Sequence, residues 1–319
     1  MKYRKLGATA LEISEISFGC WGIGGLTPGS TSYGETNDEV SIAALNCAFD
    51  NGINFFDTSN VYGYGHSEKL LGKTFINKRS QVIFATKVGF VDYDTPPNFS
   101  IDSILFSLDA SLNRLKTNYV DVLQLHNITY SELKSSPELI SFLTNLKEDG
   151  TVRAIGVSVK SPYDALEIFD VFRFDVIQSN FNMLDIRVLT SGLYDLINKN
   201  NVGLIARTPL AFGFLAGNFS ENHVFHKSDH RSNWSQDQIN LWINGSRNLL
   251  NLCIESNNSP NHEIAIRFCL SYASVSTCLV GILNSQEVLE NIKASIEGPL
   301  SINSCNLIES DHSEHNYFL

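Results

Sequence analysis

The stretch Val120-Asp121-Val122-Leu123-Gln124-Leu125-His126 decides how this chain is read. Val120–Leu125 is a short run rich in branched aliphatic residues, the composition of a strand buried on both faces. Ahead of it, Ile101–Leu115 follows Ser100, a residue type that caps helix N-termini. Behind it, Pro137–Asp149 opens with proline in its first turn and stops at Gly150, and a new apolar run begins at Ala154–Val157. Strand, helix and strand in this order imply a parallel pair joined by a right-handed crossover.

The alternation continues in both directions. Further runs lie at Ile16–Phe18, Ile53–Phe56, Val82–Thr86, Val176–Gln178, Val202–Ala206 and Cys278–Gly281, which makes eight expected strands. Helices are expected over Asp38–Asn51, Pro162–Phe169, Val188–Asn200, Glu263–Tyr272 and Gln286–Ala294. Eight tandem β/α units predict an α/β fold of the (β/α)8 TIM-barrel type, and 319 residues suit one such domain with additions. Three segments stand outside the repeat. Residues 1–14 read as an N-terminal β-hairpin, turning at Gly7-Ala8-Thr9, that plugs the barrel bottom. Residues 213–258 form a long insertion after strand seven, helical near Gln238–Glu255, placed to overhang the mouth. Residues 296–319 are a polar tail that either folds over the mouth or stays without fixed structure. No linker divides the chain, so 1–319 is read as a single domain.

Net charge is −11 with no basic stripe, which argues against nucleic acid and anionic membranes as partners. No run of 18 apolar residues and no signal-peptide core occur, so no membrane span is expected. Six cysteines without a C-x-x-C pair read as reduced thiols, and a cytoplasmic location is expected. A monomer and a homo-oligomer both fit. His223, His226, His230 and Asp229 in the insertion are read as a polar loop, and no metal is expected.

Catalytic side chains of such barrels lie at the C-terminal strand ends. Strand two ends in Asp57, strand three in Lys87 and strand four in His126, while Tyr62 follows Asp57 in a loop that can fold over the same mouth. Any one of them equally serves a packing role; the four together make a proton-transfer set. A phenol is a poor acid near neutrality. A lysine ammonium would lower its pKa, an aspartate would hold the lysine charged, and a histidine would bond a substrate carbonyl oxygen.

The stretch Asn54-Phe55-Phe56-Asp57-Thr58-Ser59-Asn60-Val61-Tyr62-Gly63-Tyr64-Gly65-His66-Ser67-Glu68 resembles the signature of the aldo-keto reductase family. The resemblance continues through Ala85-Thr86-Lys87, Asp121–His126, Gly156-Val157-Ser158, Val176-Ile177-Gln178, Gly281 and Glu290-Asn291, over about residues 1–295. It implies a nicotinamide cofactor bound without a Rossmann motif, a small-molecule carbonyl substrate (aldehyde, ketone or keto-sugar), and Asp57, Tyr62, Lys87 and His126 as the catalytic residues. It places Gly19, Cys20 and Trp21 near the nicotinamide half. Ser158 and Gln178 would bond the carboxamide. Pro209, Leu210, Gly213, Leu215 and Gly217 would form the pyrophosphate loop, and Gly281, Leu283, Glu287, Glu290 and Asn291 the adenosine end. Trp21, Tyr62, Phe90 and His126 would line the substrate pocket.

Four positions depart from the family pattern. Val159 stands where asparagine is usual, so one carboxamide bond is lost or supplied elsewhere. Arg207 stands where an aromatic ring commonly stacks on the nicotinamide; its guanidinium could stack, meet the pyrophosphate or hold an anionic substrate. Leu283 and Glu287 stand where a cation and glutamine would meet the 2′-phosphate of NADP. The resemblance implies NADP(H); these two residues keep NAD(H) open. Two other readings also stay open: a cofactor-binding regulatory or redox-sensing subunit on the same barrel, and a Schiff-base lyase using Lys87.

Overall fold

The computed structural model describes residues 1–27 and 32–318. A two-stranded antiparallel sheet opens the chain: β1 (Tyr3–Lys5) pairs with β2 (Glu12–Ser14). Eight parallel strands follow: β3 (Ile16–Gly19), β4 (Phe55–Asp57), β5 (Ile83–Val88), β6 (Val120–His126), β7 (Val152–Ser158), β8 (Val176–Asn180), β9 (Gly203–Arg207) and β10 (Val275–Gly281). Each pairs with its sequence neighbour, and β10 closes the barrel on β3.

Twelve helices surround the strands among the described residues. These are α1 (Asp38–Asp50), α2 (His66–Thr74), α3 (Ile101–Leu115), α4 (Tyr130–Lys134), α5 (Pro137–Glu148), α6 (Pro162–Phe169), α7 (Arg187–Thr190), α8 (Leu193–Asn200), α9 (Gln236–Asn251), α10 (Asn261–Leu270), α11 (Ser285–Glu297) and α12 (Ile302–Asp311). Local chemistry sets their ends. Asn37 caps α1 by accepting from Val40 N–H, and Ser161 with Asp164 forms a reciprocal capping box on α6. Ser100 sits at the cap of α3, as the sequence suggests, yet its side chain makes no capping bond. The single helix expected over Val188–Asn200 is two, because Gly192 enters the left-handed region (φ 91°) between α7 and α8. Helices α2 and α4 were not expected: they are short, and their apolar residues are too few to show a period.

Alternation along the strands sorts the interior. Phe55, Ile83, Ala85, Val122, Ala154, Val176, Ile205 and Leu279 face inward and pack with Leu6, Leu11 and Ile13 of the hairpin. Phe56, Phe84, Leu123, Leu125, Ile155, Val157 and Ile177 face the helices. The hairpin thus plugs the barrel bottom. Gly7 makes this docking possible: a Cβ there would lie 2.3 Å from Gly203 N, and its φ is 56°. Further up the same inward rows stand Asp57, Lys87, Gln124, Ser158 and Gln178, all buried. All the barrel strands but β10 therefore run one or two residues beyond the expected apolar runs at their C-terminal ends. Polar residues continue the ladder there because they bond one another across the barrel interior.

The insertion carries α9 and lies beside the mouth, where Phe212, Trp234 and Trp242 pack together. The tail folds as α12 and ends against the loop after β8 and the insertion: His312 bonds Met183 O (2.8 Å), and the Tyr317 carbonyl accepts from Trp242 Nε1 (2.8 Å). Among the described residues, none of the tail lines the cleft. Position 319 lies outside the described residues.

Candidate active site

A cleft of about 840 Å³ opens at the C-terminal strand ends. Asp57, Tyr62 and His126 line it, with Lys87 completely buried beneath. The Lys87 ammonium ion-pairs with Asp57 Oδ1 and donates to Thr58 O at 2.9 Å and Tyr62 Oη at 3.4 Å. Asp57 Oδ2 accepts from Gln124 Nε2 and Gln178 Nε2, each at 2.8 Å. Both oxygens of this buried carboxylate thus accept from protein donors, Oδ1 once and Oδ2 twice. Removing one partner of such a pair typically costs about 3–5 kcal/mol.

The loop carrying Tyr62 is fixed from three sides. Thr58 N–H donates to Ala85 O (2.8 Å), and Thr58 Oγ1 shares a hydrogen bond with Ser67 Oγ, which donates on to Cys20 O (2.9 Å). Asn60 Nδ2 donates to Phe90 O (2.6 Å). Gly63, with φ 58°, lets the loop lie flat on Gly24; a Cβ would sit 1.9 Å from Gly24 O.

Burial, and then the negative charge of Asp57, push the Tyr62 phenol above its ordinary pKa, while Arg207 pulls it down. The lowering expected from Lys87 is not the outcome. The lysine charge is spent on Asp57, and burial moves Lys87 itself down from its usual value. Tyr62 therefore holds its proton throughout the neutral range. Burial, reinforced by Lys87 and then Arg207, holds His126 well below the usual histidine range, so it is neutral. Its Nδ1 is buried without a partner, and the Phe90 ring packs edge-on against it at 5.1 Å.

Of the expected cofactor residues, Gly19, Cys20, Trp21, Asp57, Gln178, Arg207, Pro209, Leu210, Gly213, Gly281, Leu283, Glu287, Glu290 and Asn291 line this one cleft. Ser158 lies just beneath, with its hydroxyl donating to Gln178 Oε1 (3.4 Å). Three residues fall elsewhere. Leu215 is fully buried in the core, Gly217 closes a 3-10 turn against the Asn261 side chain, and Phe90 stands behind His126. Arg207 is not free for a pyrophosphate: it donates to Asn180 Oδ1 (2.9 Å), Ser158 Oγ (3.3 Å) and Val159 O (2.9 Å).

At the far end, Glu287 faces the cleft, but both carboxylate oxygens already accept bonds, from Leu283 N–H and Asn284 Nδ2 (2.8 Å each). Asn284 in turn caps α11, its Oδ1 accepting from Glu287 N–H (3.0 Å). Among the described residues, no lysine or arginine lines this end.

Sequence reasoning missed Tyr33, Tyr93, Asn180, Phe212, Arg231 and His262 in the cleft wall. Asn180 carried a signal, since it stands two residues after Gln178 and so on the same strand face. Tyr33, Tyr93, Phe212 and Arg231 come from connections whose path no period encodes, and His262 from the first turn of α10. The insertion also delivers His230, packed 4.7 Å from Trp21 and 5.0 Å from Tyr33, while the guanidinium of Arg231 lies over the Tyr33 ring. His223 packs on Phe219 and Phe225 and His226 bonds Ser228, so the insertion histidines diverge. Among the described residues no three metal-ligating side chains come together, and no helix is long and apolar enough to cross a membrane.

The polar groups around Asp57, Tyr62 and His126, the open approach at Gly281 and the volume of the cleft fit a nicotinamide dinucleotide. The family model for the aldo/keto reductase family matches residues 15–311. L-galactose dehydrogenase of Arabidopsis thaliana is 31% identical over 307 residues, covering 93% of this chain and 89% of that protein. The NADH-specific methylglyoxal reductase of Escherichia coli (strain K12) is 26% identical over 308 residues, covering 92% and 93%. Among solved structures, the holo form of the aldo-keto reductase AKR11C1 from Bacillus halodurans superposes with a TM-score of 0.80 at 26% identity, covering 97% of this chain and 96% of that one.

Proposed function

This chain belongs to the aldo/keto reductase family, and on that premise we propose that it reduces the carbonyl of a small aldehyde, ketone or open-chain sugar with NADH. The observation that carries the reading is the placement of the Tyr62 hydroxyl, 3.4 Å from the Lys87 ammonium that Asp57 holds, in one cleft wall with a neutral His126.

A bound reduced nicotinamide would supply the hydride. Every other task falls to the chain. His126 donates a hydrogen bond to the carbonyl oxygen and fixes its direction without adding charge. Tyr62 holds its proton at Oη and passes it to that oxygen as negative charge develops there. Lys87 replenishes the hydrogen bond to Tyr62 Oη and offsets the charge of the phenolate, with Asp57, Gln124 and Gln178 keeping the ammonium aimed. Ser158 and Gln178 hold the amide of the coenzyme, and the aromatic wall of Trp21, Tyr33 and Tyr93 excludes water from the reacting atoms.

NADH rather than NADPH is favoured by the carboxylates of Glu287 and Glu290 beside Leu283, with no lysine or arginine among the described residues lining that end. A 2′-phosphate would meet negative charge without a counter-ion. The lyase reading draws no support from Lys87, whose ammonium lies beneath Tyr62 and is committed to Asp57, Thr58 O and Tyr62. The reading is tested by following coenzyme oxidation with NADH and with NADPH against a panel of short aldehydes, ketones and aldoses. Turnover with NADH on at least one small carbonyl supports it; no turnover on any, despite tight coenzyme binding, favours a regulatory role.

A further inference from the structure

Val159 leaves the amide end of the cleft one hydrogen-bond donor short. Its side chain is apolar and buried, and its carbonyl is taken by Arg207 Nη2 (2.9 Å). Gln178 cannot make up the loss. Its Nε2 already donates to Asp57 Oδ2 (2.8 Å) and to Gln124 Oε1 (3.1 Å), which leaves only Oε1 for a ligand. A primary carboxamide presents one oxygen to be satisfied and one NH2 to be accepted, so Gln178 answers only half of it.

Asn180 has what is missing. It ends β8 two residues after Gln178 and lines the same cleft. Its Oδ1 accepts from Arg207 Nε (2.9 Å) and from Thr208 Oγ1 (3.2 Å). Arginine can only donate, so the amide orientation is settled: oxygen toward Arg207, NH2 toward the cleft. Among the described residues, no acceptor takes that NH2. Arg207 is itself held by Ser158 Oγ and Val159 O, and it pairs with Asn180 in the strand register, so the aim of the amide is fixed from behind.

Resting on the reading that a nicotinamide coenzyme occupies the cleft, we infer that Asn180 supplies the carboxamide donor that position 159 does not, and that Arg207 is its positioning residue rather than a ring-stacking or phosphate-binding group. Two departures from the family pattern, Val159 and Arg207, are then parts of one substitution that moves the donor from β7 to β8.

The test compares binding of NADH with that of ADP-ribose, which lacks the nicotinamide, by titration calorimetry. Asn180→Ala raises the Kd for NADH about tenfold and changes that for ADP-ribose less than about twofold, the loss of a hydrogen bond confined to one end of the ligand. Asn180→Asp, which keeps the acceptor for Arg207 and removes the donor, loses NADH selectively in the same way. Arg207→Lys, which keeps a cation but not the fork, does likewise. Unchanged NADH affinity in both Asn180 variants, or equal loss of both ligands, overturns the assignment; full NADH affinity in Arg207→Lys overturns the role given to Arg207. Failure of the wild-type protein to bind either ligand overturns instead the coenzyme reading beneath it.

Discussion

Gln178 donates to Asp57 Oδ2 at 2.8 Å while its Oε1 accepts from Ser158 Oγ at 3.4 Å. One side chain therefore reports to both halves of the site: the carboxylate that holds Lys87 under Tyr62, and the place proposed for the coenzyme. Gln124 makes the matching bond to the same oxygen from β6. It does not line the cleft.

The two glutamines should separate on mutation. Gln124→Leu keeps volume and removes one donor from a buried carboxylate, which costs about 1–3 kcal/mol of stability. Urea denaturation should show that loss with the Kd for NADH unchanged. Gln178→Leu should show a similar loss of stability and also weaken NADH binding.

Much of this arrangement was legible in the sequence, and the reason lies in the strand ends. Asp57, Lys87 and His126 each close an apolar run, and a parallel barrel sends such residues to one mouth. Less legible was the second layer. Gln124 sits inside the run Val120–Leu125 and reads as an interruption until alternation turns it inward against Asp57. Arg207 was visible as a departure but not as a partner of Asn180, because the bond joins two neighbouring strand ends that sequence spacing does not relate. The wall from Tyr33, Tyr93 and Arg231 depends on loop paths, and the docking of the tail on the insertion depends on Trp242 meeting the Tyr317 carbonyl.

Acid should weaken the fold through the mouth histidines. Burial lowers His230 to about 4 and holds His126 well below its usual range. Both rings are neutral in the fold and protonate in the unfolded chain near 6.5, so the unfolded state binds more protons between these values. Their contribution to stability is present above about pH 6.5 and is lost as pH falls toward 4. Thermal melts across this window should show Tm falling. His230→Phe, which keeps an aromatic ring beside Trp21 and Tyr33, should reduce the slope; an unchanged slope would remove His230 from this explanation.

Coenzyme choice should yield to two substitutions at the far end. Leu283 is 40% exposed at the cleft edge and carries no charge. Leu283→Arg combined with Glu287→Gln should lower the KM for NADPH by about tenfold or more, the effect of a guanidinium meeting a phosphate without a competing carboxylate. The KM for NADH should change little. A wild-type enzyme already preferring NADPH would contradict the reading of this end.

The hairpin plug should matter for folding and not for chemistry. Ile13 is fully buried with the lowest inward layer of the barrel. Ile13→Ala should cost about 2–5 kcal/mol in chemical denaturation. The kcat of the folded fraction should stay at the wild-type value.

The proton delivered from Tyr62 is tested most directly by Tyr62→Phe, which keeps the ring over Lys87 and removes only the hydroxyl. Single-turnover oxidation of bound NADH by a small aldehyde should slow by about 10²-fold or more, the usual scale for a lost general acid, with the Kd for NADH unchanged. Carbonyl reduction at the wild-type rate in Tyr62→Phe would contradict Tyr62 as the acid.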